Sequence, residues 1–475
     1  GAYVKEPNVG RHEWVVSFDL NSLYPHLIMQ YNISPDTKIK GSLSRKTITV
    51  DGVLNGSDES MDMIKAWKKN DHCIAANGTL YRRDKQGFLA ELMEKMYEER
   101  SMYKKKMIEC QKQKEKDPDN KNLDYQIAKF NNFQMVRKIQ LNSAYGAIGN
   151  EWFRYYDVEM AEAITLSGQL SIRWIENKLN SFLNELTGTE NTDYVIASDT
   201  DSVYVSFNAL VDDKCKGNSK EEIVDYLDKV STKVIEPFIE NKYKELAVIM
   251  NAYSNKMVMK REVIASTGVW TAKKRYMLNV FDSEGVRYTE PKVKIMGIET
   301  SRSSTPQVVR DSLKKMIKIV MNGDEKEIQS AVKEFKTKFE SMPPEDIAFP
   351  RGVSNVKKYM DSTQIYAKGT PIAVKGALIY NYYIKKLKLQ RKYKTITDGD
   401  KIKFIYLKTP NPMAGSYGKD HVVSFPSGIP SEFNLTPYID YDKQLKTSFL
   451  DPLSTILKAV GWEYEKKSTL ESFFG

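Results

Sequence analysis

Three aspartates, Asp19, Asp199 and Asp201, sit where strand-like runs end. Asp19 follows Trp14-Val15-Val16-Ser17-Phe18, and the other two lie between Tyr194-Val195-Ile196-Ala197 and Val203-Tyr204-Val205-Ser206-Phe207. Carboxylates at strand ends can be held a few ångströms apart by rigid sheet geometry. Hard cations such as Mg²⁺, or Mn²⁺ in its place, take oxygen ligands, usually one or two carboxylates completed by water and substrate phosphate oxygens. Two such ions roughly 3.5–4 Å apart can activate an attacking hydroxyl and stabilise a departing phosphate. Asp19 and Asp201 would bridge both ions, with Asp199 nearby. The alternative is a solvated Asp-Thr-Asp-Ser turn, because Asp and Ser are favoured in turns for their side-chain to backbone hydrogen bonds.

A second group could bind phosphate. Arg100 and Lys104 are four residues apart, and Lys138, Asn142 and Tyr145 are spaced by four and three, so each set shares a face if its segment is helical. Neither Leu89–Asp117 nor Asp119–Tyr145 contains Gly or Pro, and Asp117-Pro118-Asp119-Asn120 between them carries a turn signal. That pattern predicts two antiparallel helices. Arg100 lies 18 residues before Pro118 and Lys138 lies 20 after it. At about 1.5 Å of rise per residue the two end at nearly the same height. An Arg fork and a Lys point charge could then converge on one triphosphate. A solvated Lys-rich hairpin fits the same residues.

The elements that must position these groups are legible in outline. Residues 14–18 predict a strand, 19–22 a turn, and Pro25 with Leu27-Ile28-Met29 the start of a helix. The acidic turn 199–202 reads as the tip of a β-hairpin. Residues 40–90 are rich in Gly, Asn and Asp, with an Asn77-Gly78 hairpin signal. Segments 222–252 and 306–340 have helical periodicity, and 257–300 is strand-rich. The expected class is α+β.

Composition narrows the function classes. A net charge of +10 favours a polyanionic partner. Cys73, Cys110 and Cys215 form no CxxC pair, and His12, His26, His72 and His421 form no HExxH, which argues against a disulfide framework or histidine-ligated zinc. No apolar run approaches the roughly 18 residues of a membrane helix, so the expected partners do not include a membrane and the expected location is cytoplasmic. From Lys375 to Thr397 there is no acidic residue, while Lys385, Lys386, Lys388 and Arg391 occur among Tyr380, Tyr382, Tyr383 and Tyr393. Clustered cations with interleaved aromatics suit a duplex backbone, although an ordinary solvated basic face has the same composition. Leu470, Phe473 and Phe474 form a short apolar plug near the terminus that could dock in a groove as anchor residues, or pack on the chain itself.

Taken in order, Asp19-Leu20-Asn21-Ser22-Leu23-Tyr24-Pro25, Lys138 with Asn142-Ser143-Ala144-Tyr145-Gly146, and Asp199-Thr200-Asp201-Ser202 resemble the motifs of family B DNA polymerases, in the form found in the replicative polymerases of T4-like bacteriophages. The resemblance implies a right-hand architecture: an antiparallel palm at 1–88 and 149–300, helical-hairpin fingers at 89–148, a mixed thumb at 301–465 and a tail at 466–475 that binds a sliding clamp. It implies a template-directed polymerase acting on primer-template DNA and dNTPs with two Mg²⁺ ions, in the host cytoplasm if phage-encoded. Asp19, Asp201 and the Leu20 carbonyl would be the metal ligands. Ser22, Leu23, Tyr24, Arg100, Lys104, Lys138, Asn142, Tyr145 and Gly146 would surround the nucleotide, with Tyr24 selecting against ribose. Lys273, Lys274, Arg275 and Tyr276 would hold the primer strand, and Glu262 is a candidate third carboxylate. The family's exonuclease precedes the first motif, so none is expected in this chain; a separate chain carrying the N-terminal and exonuclease domains, or truncation, would explain that. Two departures stand out: Ala197-Ser198 replaces the usual Tyr-Gly, and His26 replaces a small residue after Pro25.

Overall fold

A computed structural model describes residues 1–40, 47–413 and 421–466. Its first compact unit comprises residues 1–274 and 278–294. The organising element is strand β1 (Gly10–Leu20), whose Val15, Val16 and Phe18 are buried because it lies inside a six-stranded sheet. The other strands are β2 (Val195–Asp199), β3 (Ser202–Ser206), β4 (Met259–Ala272), β5 (Arg275–Ser283) and β6 (Val286–Met296), in the order β2-β3-β1-β4-β5-β6. β1 pairs antiparallel with both β3 and β4, and its register sets Asp19 opposite Ser202 on one side and Lys260 on the other. A bulge between Ser17 and Phe18 interrupts the β4 pairing just before Asp19. The free edge of β2 is covered by the start of the chain, where Lys5 N–H and Asn8 N–H donate to the Ser198 and Ile196 carbonyls. Covering an edge in this way removes a template for unwanted pairing.

Four helices complete the frame around the aspartates. α1 (Leu23–Tyr31) follows directly on β1 and buries Leu23, Pro25, His26, Leu27, Ile28 and Met29. α2 (Phe88–Lys116) and α3 (Lys121–Ile148) form the expected hairpin, and Asn120 caps α3 by accepting from the Asn122 and Leu123 N–H groups. α4 (Val158–Thr187) is capped by Asp157 and ends at Gly188, whose left-handed φ of 67° suits glycine. Phe18, Leu20, Leu27, Ile28, Leu141, Ile164 and Ile264 belong to one continuous core. Each such side chain contributes about 1.5–3 kcal/mol through burial, so Leu27→Ala should cost roughly 2–5 kcal/mol. Within the Gly/Asn/Asp-rich stretch, the chain makes two helices that local composition did not suggest, Val50–Asn55 and Asp58–Lys69.

The second unit comprises Arg275–Met277 and residues from Ile295 onward. It contains α5 (Gln307–Asn322), α6 (Glu325–Glu340), β7 (Phe349–Gly352), α7 (Ile372–Lys386), β8 (Lys401–Tyr406), β9 (Val422–Phe425) and α8 (Asp451–Val460). Its sheet has the order β9-β8-β7 with antiparallel pairing. α7 lies so close to β9 that a Cβ on Gly376 would stand 2.7 Å from the Ser424 nitrogen, which requires glycine there. Among the described residues no helix is long and apolar enough to cross a membrane.

Candidate active site

The sheet brings Asp19 and Asp201 together. Leu20 N–H donates to the Asp201 carbonyl at 2.8 Å, fastening the end of β1 to the β2–β3 tip. The tip itself turns through Thr200, whose φ is 60°, and the Asp201 N–H folds back to the Asp199 carbonyl at 2.6 Å. Ser202 Oγ donates to Asp19 Oδ1 at 2.7 Å. Burial, then the Asp201 charge, pushes the Asp19 carboxyl up to about 7; the Ser202 bond opposes this, and Lys104 does so more weakly. Asp201 is pushed up to about 6 by burial, with Asp199 and Glu262 adding to the rise and Lys138 opposing it. Carboxylates that resist ionisation beside one another are a donor set that a divalent cation relieves. Among the described residues no group of three or more His, Cys, Asp or Glu side chains is placed to hold a metal. A set of two aspartates and the Leu20 carbonyl fits Mg²⁺ only if water and substrate oxygens complete the shells, as is usual for this ion.

The neighbouring carboxylates have other partners. Glu262 repels both aspartates, while its own oxygens take bonds from Ser17 Oγ at 3.3 Å and Lys294 Nζ at 3.1 Å. Asp199 receives Lys274 Nζ on both oxygens, at 2.7 and 2.8 Å. Lys274, expected at the primer strand, is thus the counter-ion of Asp199 in this structure.

The helical hairpin supplies cations to the same place. Arg100 donates to Ser22 Oγ, and its Nε is buried without a partner among the described residues. Burial lowers the Arg100 pKa. Lys104 weakly lowers the pKa of Asp19, and the exposed Lys138 weakly lowers that of Asp201. Lys104 is itself ion-paired with Glu284. The ring centroids of Tyr24 and Tyr145 lie 4.7 Å apart. Behind Tyr24 is Gly168 of α4, where a Cβ would stand 3.2 Å from the ring. Burial raises the Tyr24 hydroxyl to about 12. Asn142 is exposed, and Gly146 faces open space, since a Cβ there would meet nothing within 4 Å.

The sequence profile of DNA polymerase family B matches residues 1–427. This chain belongs to that family. The DNA-directed DNA polymerase of Escherichia phage RB69 is 33% identical over 100% of this chain and 56% of its own length. The corresponding protein of Enterobacteria phage T4 is 31% identical over 100% of this chain and 57% of its own length. DNA polymerase 1 of Pyrococcus abyssi is 27% identical over 73% of this chain and 36% of its own length. The chain therefore spans little more than half the length of the phage relatives.

Both departures from the family B motifs have physical surroundings. His26 is buried; its Nδ1–H donates to the Ser22 carbonyl at 3.0 Å, and its ring packs edge-on against Tyr97 of α2 at 4.2 Å. Burial pushes the imidazole down to about 4, so it is neutral at pH 7. It joins α1 to α2 one turn before Arg100. Ser198 is buried beneath the start of the chain and donates to Glu176 Oε2 at 3.3 Å, and Glu176 in turn pairs with Lys5 at 3.0 Å.

The residues expected on DNA are distributed unevenly. Lys273 pairs with Glu6 at 3.1 Å, Arg275 with both oxygens of Glu299 at 2.7 and 2.8 Å, and Tyr276 is buried. Lys385, Lys386, Lys388 and Arg391 are exposed, with Lys386 over the rings of Tyr382 and Tyr383. Tyr380 and Tyr383 are core residues, leaving Tyr382 as the exposed aromatic of α7. Leu470, Phe473 and Phe474 lie outside the described residues. Sequence reasoning named Ser202 within its motif without giving it a role, and missed Gly168 and Glu284. Glu284 carried a local signal, because Glu284-Gly285 separates two strand-like runs, but its pairing with Lys104 spans 180 residues.

Proposed function

We propose that this family B chain is the polymerising portion of a replicative DNA polymerase, with palm at 1–88 and 149–300, fingers at 89–148, thumb at 301–465 and a clamp-binding tail at 466–475. The observation that supports the reading is the joining of the end of β1 to the β2–β3 tip, Leu20 N–H to the Asp201 carbonyl at 2.8 Å and Ser202 Oγ to Asp19 Oδ1 at 2.7 Å, with Arg100 of α2 bonded to Ser22 and Tyr145 of α3 4.7 Å from Tyr24. Both helices of the hairpin thus reach the residues that follow Asp19, and their cations would grip a triphosphate beside the paired carboxylates.

Asp19, Asp201 and the Leu20 carbonyl would hold two Mg²⁺ ions, which when bound supply Lewis-acid stabilisation of the attacking and leaving oxygens. Arg100, Lys104 and Lys138 would neutralise the triphosphate and Asn142 would help to orient it, so that the primer 3′-hydroxyl faces the α-phosphorus in line. Positioning and electrostatics carry most of such a reaction. Tyr24, pressed between Tyr145 and Gly168, fills the space a ribose 2′-hydroxyl would need, while Tyr145 and Gly146 floor the nascent base pair. Thumb contacts through Lys385, Lys386, Lys388 and Arg391 would be to phosphates, giving salt-sensitive and sequence-tolerant binding. Proofreading and the N-terminal domains would come from a separate chain or a longer protein.

Primer extension by this chain, with and without Mg²⁺ and with dNTPs against rNTPs, tests the reading. Mg²⁺-dependent addition of dNTPs on a DNA template is expected. Absence of extension under all conditions, or preference for rNTPs, would overturn it.

A further inference from the structure

Lys104 is not free to wait for a nucleotide, because its ammonium is ion-paired with the Glu284 carboxylate. Glu284 and Gly285 form the two-residue turn between β5 and β6, with φ of 51° and 83°. Two-residue turns with positive φ at both positions favour Asn, Asp or Gly first, and Glu is a poor choice there on conformational grounds. The same turn meets α2 a second time, since Lys112 Nζ lies 3.2 Å from where a Cβ on Gly285 would stand. One helical turn further along, Glu115 pairs with Lys292 of β6 at 3.0 Å. The β5–β6 hairpin therefore runs beside the phosphate-binding face of α2.

A cavity of about 370 Å³ opens between them, lined by Arg100, Lys104, Lys105, Lys260, Arg261 and Glu284 among others. Its other acidic lining residue, Glu236, is engaged by Lys260 at 2.8 Å, and Arg261 is held by Asp228 at 2.8 Å and by Asp282. Glu284 is thus the carboxylate that faces the triphosphate clamp. Both members of its pair keep about a third of their side-chain surface exposed, at 30% for Lys104 and 34% for Glu284. Partly exposed ion pairs of this sort are weak, so a triphosphate, with several negative charges, can displace the carboxylate while a singly charged anion competes poorly.

Resting on the polymerase reading, we infer that Glu284 is a positioning residue for nucleotide binding: it acts as a stand-in anion that holds Lys104 in the nucleotide-free site and must be displaced by the incoming triphosphate. Removing the carboxylate should tighten triphosphate binding, and should do so only through Lys104. Inorganic tripolyphosphate is the probe, titrated by calorimetry into the chain bound to primer-template DNA. Glu284→Gln, and Glu284→Asn, which the turn favours, should each bind it about threefold to fivefold more tightly than the parent chain, the range expected for a weak pair. In a Lys104→Ala background the gain should vanish, and in steady-state extension Glu284→Gln should lower the dNTP KM with little change in kcat. Equal affinities for parent and both Glu284 variants would overturn the inference, as would an equal gain with and without Lys104 or tripolyphosphate binding by none of the proteins. Loss of extension by the parent chain would sink the polymerase reading instead, and the titration would still decide the role of Glu284.

Discussion

Replacing Asp19 with Asn should stabilise the metal-free chain, even though it should destroy the site. The folded structure raises this carboxyl from 3.8 to about 7 through burial and the nearby Asp201 charge. A folded-state pKa above the unfolded value means that the native chain holds a proton the unfolded chain has lost. Stability from this group is therefore complete below about pH 4 and is lost as pH rises to about 7. At pH 8 the full shift corresponds to a penalty on the order of 4 kcal/mol. Because Asp201 shares the repulsion and solvent reaches part of the site, about 2–3 kcal/mol is the expected gain for Asp19→Asn. Asn keeps the shape and can still accept the Ser202 hydroxyl on Oδ1. Urea denaturation in EDTA, followed for the transition of the first unit, gives the variant-minus-parent difference and so cancels the other titrating groups. That difference should grow from near zero at pH 4 to its plateau above pH 7, and Mg²⁺ should shrink it by stabilising the parent alone. A variant equal to or less stable than the parent at pH 8 in EDTA would refute the electrostatic reasoning.

Tyr24→Ala should raise ribonucleotide incorporation by tenfold or more in a competition assay, and unchanged sugar selectivity would remove its role as the gate. Lys138→Ala should raise the dNTP KM at least fivefold, with a smaller effect on primer-template affinity measured by anisotropy. His26→Ala deletes an edge-on contact with Tyr97 worth about 0.5–1.5 kcal/mol and leaves a small cavity. Thermal denaturation should show a loss of roughly 1–3 kcal/mol at pH 8 that shrinks by somewhat under about 1 kcal/mol at pH 6, because below about 6.5 the unfolded histidine takes up a proton that the folded imidazole, pushed down to about 4, does not.

What could be read from the residues was local. Asp19, Asp199 and Asp201 announce themselves because β-branched runs end at them, and Arg100, Lys104 and Lys138 because uninterrupted helical spacing meets a Pro-containing turn. The helices at 50–55 and 58–69 were hidden by Gly52, Gly56 and the Asn- and Asp-rich composition, where burial in the core outweighs weak propensity. Lysines interleaved with tyrosines between 375 and 397 suited a duplex backbone in composition, but composition does not tell which rings helical geometry turns inward, Tyr380 and Tyr383, and which it leaves outside, Tyr382. For contacts that cross the fold, the partner could not be read locally. Ser202 reaches Asp19 only because of strand register, Gly168 meets Tyr24 only through the packing of α4 on α1, and Glu284 finds Lys104 only when the β5–β6 turn lies beside α2.

The central claim is that Asp19 and Asp201 form one metal-dependent site under the cationic hairpin, and Asp201→Asn tests it most directly. Extension of a DNA primer in Mg²⁺ by this variant should fall at least a thousandfold, while its affinity for primer-template DNA stays within about threefold of the parent. Extension within tenfold of the parent would contradict the claim.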